Sequence, residues 1–259
     1  MQSAWEDRVA EIRYLWRESF LEDEVPPFRC PTCGRGNLNT IENGLTAIRP
    51  QYAAPEDGGY SPDEDWGRFT LVLKCGVRTC GEIVLVVGAY QAEEVHKPNG
   101  IFAERRLRPT SMYPGPSLCE MPDNTPEPVR EALQQSFTLF WADLGATANK
   151  LRVAAERVLN DKGVKQYNRT GKRVPLTFAK RIELYAQTNA GHKEVLNALR
   201  WVGNHGSHSG EVARDDVLTA FELMQSALQD LYGSHYKKDL ARRGRDLVAR
   251  RGKPKRIRG

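Results

Sequence analysis

The sequence predicts an α+β fold, in which a small β-rich N-terminal module is followed by an all-α antiparallel helical bundle. Three observations point there. Between residue 28 and about 115 the apolar runs are short and β-branched, and glycines and prolines are frequent. From Val129 onward the apolar residues recur every three or four positions, the period of amphipathic helices. Between these stretches lie Pro114, Pro116, Pro122, Pro126 and Pro128, a density that suits an extended connector.

In chain order, Trp5, Val9, Ile12, Trp16 and Phe20 keep helical spacing, so residues 1–25 read as an amphipathic helix. Glu22-Asp23-Glu24 and Pro26-Pro27 end it. Residues 26–112 form the β-rich module, whose clearest strands are Phe69–Leu73 and Ile83–Val87. The segment from Ala53 to Asp65, rich in glycine, proline and acids, reads as an exposed loop. Residues 113–128 are the connector, and residues 129–236 carry five apolar stripes. These run from Val129 to Leu144, from Leu151 to Leu159, from Phe178 to Tyr185, from Val195 to Val202 and from Val217 to Leu231. Five helices with short links predict an antiparallel bundle, with the stripes as its core.

The 259 residues suffice for one large domain or two modest ones. No apolar run approaches the roughly 18 residues of a membrane span. The charged start, with Glu6, Asp7, Arg8, Glu11 and Arg13, reads as neither signal peptide nor anchor, so the expectation is a cytoplasmic protein without a membrane partner. The net charge of +5 is unevenly spread. Residues 237–259 hold eleven Lys or Arg, Arg242, Arg243 and Arg245 among them, against two Asp, whereas the rest holds 27 basic and 31 acidic residues. A tail of that kind meets phosphates or simply solubilises the chain.

Five cysteines without a secretion signal argue against a disulfide framework. Cys30-Pro-Thr-Cys33-Gly34 has the form of a knuckle, two thiolates on a tight turn whose backbone N–H groups face sulfur. Cys75-Gly-Val-Arg-Thr-Cys80-Gly81 is its counterpart, with four residues between the thiols instead of two. Two such turns joined by strands are what a tetrahedral four-thiolate zinc site requires, so Cys30, Cys33, Cys75 and Cys80 are the candidate ligands. Four protein ligands leave the ion no open position, which makes its role structural. The other uses of the same residues are buried free thiols or a redox pair, though no helix follows Cys30 to lower a thiol pKa. Cys119 stands apart in the connector.

One helical segment, Leu199-Arg200-Trp201-Val202-Gly203-Asn204-His205-Gly206-Ser207-His208, joins core residues to phosphate-competent groups. On a regular helix Arg200, Asn204 and His208 share a face, and His205 points about 140° away from Arg200. Gly203 and Gly206 mark close backbone packing or a break. A purely structural use is an Arg200 ion pair, with Asn204 and His208 fastening a loop. Arg152 and Glu156 lie four apart on a neighbouring stripe, where Glu156 is placed to orient Arg200 or a histidine, or simply to pair with Arg152. Lys162, Lys165, Arg169, Lys172 and Arg173 surround Tyr167 without an acid between them, a phosphate-contacting loop or a solvated turn.

Arg200-x-x-Gly203-Asn204-x-x-x-His208, the Arg152-x-x-x-Glu156 helix, Tyr113-Pro114 and the upstream Cys-Pro-x-Cys-Gly together resemble the family called domain of unknown function 4145. The resemblance spans roughly residues 28 to 233. That family is found beside restriction and phage-defence systems and is grouped with the HEPN superfamily of helical nucleotide-binding and RNase domains. The resemblance therefore implies a HEPN-like bundle, a homodimer, an RNA partner or a protein partner from a defence system, and metal-independent endoribonuclease chemistry. In that chemistry a ribose 2′-OH attacks the adjacent phosphate, a histidine moves the proton, and an arginine stabilises the phosphoryl charge.

Two registers satisfy the superfamily's Arg-x(4–6)-His signature. With Asn204 and His208 aligned, Gly203 falls where the arginine belongs and Arg200 substitutes one turn earlier. With Arg200 and His205 aligned the spacing is literal, but Trp201 replaces a polar residue. The candidate catalytic set is therefore Arg200, Asn204, His205, His208 and Glu156. The alternatives are a non-catalytic zinc-containing adaptor that recruits a protein or nucleic acid, and a module that holds a nucleotide phosphate without cleaving it. No P-loop, dinucleotide fingerprint, HExxH or nucleophile elbow is present.

Overall fold

The structure is a computed structural model that describes residues 13–53, 64–168, 173–208 and 212–233, with Arg245, Val248 and Ala249 of the tail. Of Ser207 and His208 it describes the backbone alone. Five strands, β1 (Phe20–Leu21), β2 (Leu38–Ile48), β3 (Trp66–Cys75), β4 (Ile83–Lys97) and β5 (Gly100–Tyr113), form one antiparallel sheet in the order β1-β5-β4-β3-β2. Alternation builds it: Leu71, Leu73, Val84 and Val86 point to one face and are buried, while the residues between them point to the other. The two clearest strands of the sequence are the middles of β3 and β4. β2 and β5 carry polar and charged residues at many positions, which hides their period. Phe20 and Leu21 do not continue a helix; they pair with Leu107 and Arg106 of β5.

Five helices follow: α1 (Glu127–Leu139), α2 (Leu144–Asp161), α3 (Phe178–Ala186), α4 (Lys193–His208) and α5 (Arg214–Tyr232). The first apolar stripe spans two of them. The chain turns at Phe140–Asp143, both Phe140 and Trp141 are buried in that turn, and the Asp143 carboxylate caps α2 by accepting from the Ala146 N–H.

The expected architecture needs correction. The N-terminal part is no small zinc-ribbon-like module; it is a five-stranded sheet, and the cysteines lie within its strand region. Nor is the helical part a self-contained all-α bundle of HEPN type. It is a five-helix region whose buried residues are continuous with those of the sheet. The physical reason lies in aromatic packing at the junction. Trp16 and Phe28 from the N-terminal part meet Phe140 and Trp141, with ring centroids 5.9 to 6.5 Å apart. The proline-rich segment is packed into the same seam. Gly115 lies against the backbone of Phe137 and Thr138, where a Cβ would come within 2.3 Å of the Thr138 nitrogen. Further along, the Glu120 N–H donates to Gln225 Oε1 of α5 at 2.8 Å.

Candidate metal centre and the α4 surface

Strand pairing brings the two cysteine turns together. Cys75 ends β3 opposite Leu38, the first residue of β2, and an isolated bridge between Arg29 and Asn37 carries the first turn up beside it. The four Sγ atoms all lie within 4.8 Å of one another. Cys30 and Cys80 are 3.8 Å apart and Cys33 and Cys75 are 3.7 Å apart. A tetrahedron with metal–sulfur bonds of about 2.3 Å has edges of about 3.8 Å, so the four thiols are spaced to hold one metal ion.

The unequal spacing of the two pairs has a structural explanation. In the first turn the Gly34 N–H donates to the Cys30 carbonyl, and Gly34 has φ +62°. In the second turn the Gly81 N–H donates to the Val77 carbonyl, and Gly81 has φ +63°. Val77-Arg-Thr-Cys80-Gly81 is thus the same turn, with valine where the first cysteine would stand. Cys75 supplies the missing thiol from the strand end, two residues earlier. Each glycine takes a left-handed conformation that a side chain would strain.

Backbone donors complete the site. The Gly36 N–H donates to Cys33 Sγ and the Val77 N–H to Cys75 Sγ, both at 3.4 Å. Those of Gly36 and then Arg35 draw the Cys33 thiol down to about 6, whereas burial pushes Cys30 up to about 12 and also raises Cys75. A bound cation reverses the burial penalty and holds all four as thiolates. Cys119 is buried elsewhere in the seam, and burial raises its thiol to about 12.

The α4 motif is split by packing. Gly203 is buried against α2, where a Cβ would lie 2.5 Å from Arg152 Cβ, and Gly206 touches the Gly145 backbone. Both glycines therefore serve close helix–helix approach. Arg200 sits at the border of that packed face, 60° from Gly203 by helical geometry. Its guanidinium lies over the Trp201 ring, 4.4 Å from the centroid, and its Nε is buried without a hydrogen-bond partner among the described residues. Trp201 itself is 63% exposed. Asn204 is half-buried and His205 exposed, while the His208 side chain lies outside the described residues.

Glu156 accepts from Arg152 Nη1, and Arg152 also reaches Asn149 Oδ1 at 3.0 Å, so this carboxylate is engaged within α2. The carboxylate in the field of Arg200 is Glu183 of α3, held below its usual range mainly by a hydrogen bond from Lys180, with Arg200 a smaller influence. Of the predicted basic loop, Lys162 pairs with Asp161 and lies over Tyr232, Lys165 is exposed, and Arg173 stacks on Tyr167 at 4.1 Å. Arg169, Lys172, Arg242 and Arg243 lie outside the described residues, and Arg245 is exposed. In the sequence Trp201 stands only as a replacement for a polar residue of the motif; the signal for its exposure is a large aromatic between Leu199 and Gly203, on a side of the helix that the stripe leaves unburied.

No helix among the described residues is long and apolar enough to cross a membrane. No curated protein and no solved structure matches the chain. Two families do. The resemblance read over residues 28 to 233 divides between them: residues 18–103, which include all four clustered cysteines, match the family described as Domain of unknown function (DUF8608), and residues 134–251, from within α1 onward, match Domain of unknown function (DUF4145).

Proposed function

We propose that this protein is a zinc-stabilised RNA-binding protein of the cytoplasm, with the metal in a structural role and the Arg200–Trp201 surface of α4 as the recognition site. The observation that carries the reading is the Arg200 guanidinium: it has no hydrogen-bond or ion-pair partner among the described residues and lies on an exposed indole. A cation placed beside an exposed aromatic ring fits the two parts of a nucleotide, the phosphate and the base. Zinc is the metal the ligand set favours, since four thiolates at tetrahedral spacing suit it and leave no position for a substrate. Ribonuclease activity is the catalytic form of this reading. It requires an imidazole, from His208 on the Arg200 side or from His205, to meet the same phosphate as Arg200.

Fluorescence anisotropy with a labelled single-stranded RNA tests binding, and a gel of the same RNA tests cleavage. Arg200→Ala and Trp201→Ala are each expected to weaken binding about tenfold, a loss of about 1.4 kcal/mol, with thermal unfolding unchanged. Wild-type affinity in both variants would contradict the proposal. The non-catalytic adaptor has one observation in its favour, the use of Gly203 and Gly206 as packing residues. Binding without cleavage in the wild type would select it.

A further inference from the structure

β4 is the central strand of the sheet, and its two faces differ less than they should. The inward positions Val84, Val86 and Tyr90 are buried under the helices and the N-terminal segment. The outward positions Ile83, Leu85 and Val87 are also apolar, at 40%, 52% and 40% exposure. A sheet with one solvated face ordinarily places polar residues there. The cross-strand neighbours widen the patch: Leu85 pairs with Tyr113 on β5, which is 68% exposed, and with Val72 on β3. Among the described residues no element lies over this face.

Among the described residues the exposed charge on this face is mainly basic; Glu82, beside Ile83 at the Tyr113 end, accepts from the Thr32 hydroxyl and the Ile83 N–H, and Glu131 next to it pairs with Arg157. Arg68 and Lys74 project from β3 and Arg108 from β5 on the same side, all exposed and without an ion pair among the described residues. Glu93 and Glu104 on that side are taken by Arg106 and Lys97. A second copy of the chain would oppose these cations to their own kind. RNA would want a row of aromatic rings, and the centre here is aliphatic. We infer that the outer face of the sheet docks an acidic polypeptide segment of a protein partner, its apolar side chains seated on Leu85 and Tyr113 and its carboxylates on Lys74, Arg68 and Arg108. This surface is independent of α4.

The test uses the whole zinc-loaded protein and two fluorescein-labelled 12-residue peptides, one alternating Glu and Leu and the other Lys and Leu, read by anisotropy. The Glu–Leu peptide is expected to bind and the Lys–Leu peptide to bind at least about tenfold more weakly. Leu85→Asp should weaken the Glu–Leu complex about tenfold or more, the worth of one buried leucine. Lys74→Glu with Arg108→Glu should reverse the preference between peptides. Unfolding curves and zinc content verify that each variant is folded. Equal binding of both peptides, no binding of either, or indifference to these substitutions overturns the inference. So does displacement of the peptide by RNA, or a dimer in sedimentation that Leu85→Asp dissociates, which would assign the face to a second copy.

Discussion

The sheet and the helical region solve the same problem with different means. The helices bury continuous apolar stripes and close on one another through glycine contacts, as where Gly203 and Gly206 of α4 meet Arg152 and Gly145 of α2. The cysteine end of the sheet has no such stripe. There two tight turns converge and bring four thiols together, with Cys30 and Cys75 buried in the same core as Phe28, Leu38 and Leu73. On the proposed reading, stability in the first region draws on an ion and in the second on shape, while recognition residues sit where neither requirement consumes them. Arg200 illustrates this, lying at the edge of the packed face of α4 instead of in it.

The largest expected effect comes from metal removal. Chelation, or Cys75→Ser, should cost the sheet on the order of 10 kcal/mol and abolish its cooperative unfolding, followed through Trp66 and Trp16 fluorescence and far-ultraviolet circular dichroism. An unfolding curve indifferent to metal would erase the contrast between the regions. Next, Gly203→Val should overpack the α2–α4 contact and destabilise the protein by about 1–3 kcal/mol without loss of metal, read in urea titrations beside metal analysis. Asp143→Ala, which removes the cap of α2, should cost about 1 kcal/mol by the same titration. Deleting residues 237–259 should leave stability within about 0.5 kcal/mol of the intact chain, while RNA affinity falls and its dependence on salt flattens. Thiol labelling sharpens the comparison further. Iodoacetamide should modify the four clustered cysteines once metal is removed, and Cys119, whose thiol burial raises to about 12, only after global unfolding.

Much of this was legible in the sequence, and the failures have physical causes. The clustering of the four cysteines was readable because metal chemistry imposes local spacing, and even the irregular pair forms the same turn with Val77 in place of a cysteine. The five helices were readable because each has a strong period, although Phe140 and Trp141 extended the first stripe through a turn. What local pattern does not encode is which buried faces share a core. The prolines after Tyr113 looked like a spacer, yet Gly115 and Glu120 fasten that segment to α1 and α5, and Trp16 and Phe28 pack across the seam. Long-range packing of this kind turned an expected module and free bundle into a sheet and helices with one core. In the motif, the sequence alone does not decide that Arg152 and Glu156 pair with each other within α2.

The central claim is that Cys30, Cys33, Cys75 and Cys80 hold one structural zinc. X-ray absorption at the zinc edge, on protein purified without added metal, tests it most directly. The account predicts about one zinc per chain with four sulfur neighbours at about 2.3 Å and no nitrogen or oxygen ligand. A mixed ligand shell, or protein that is folded and free of metal, would contradict it.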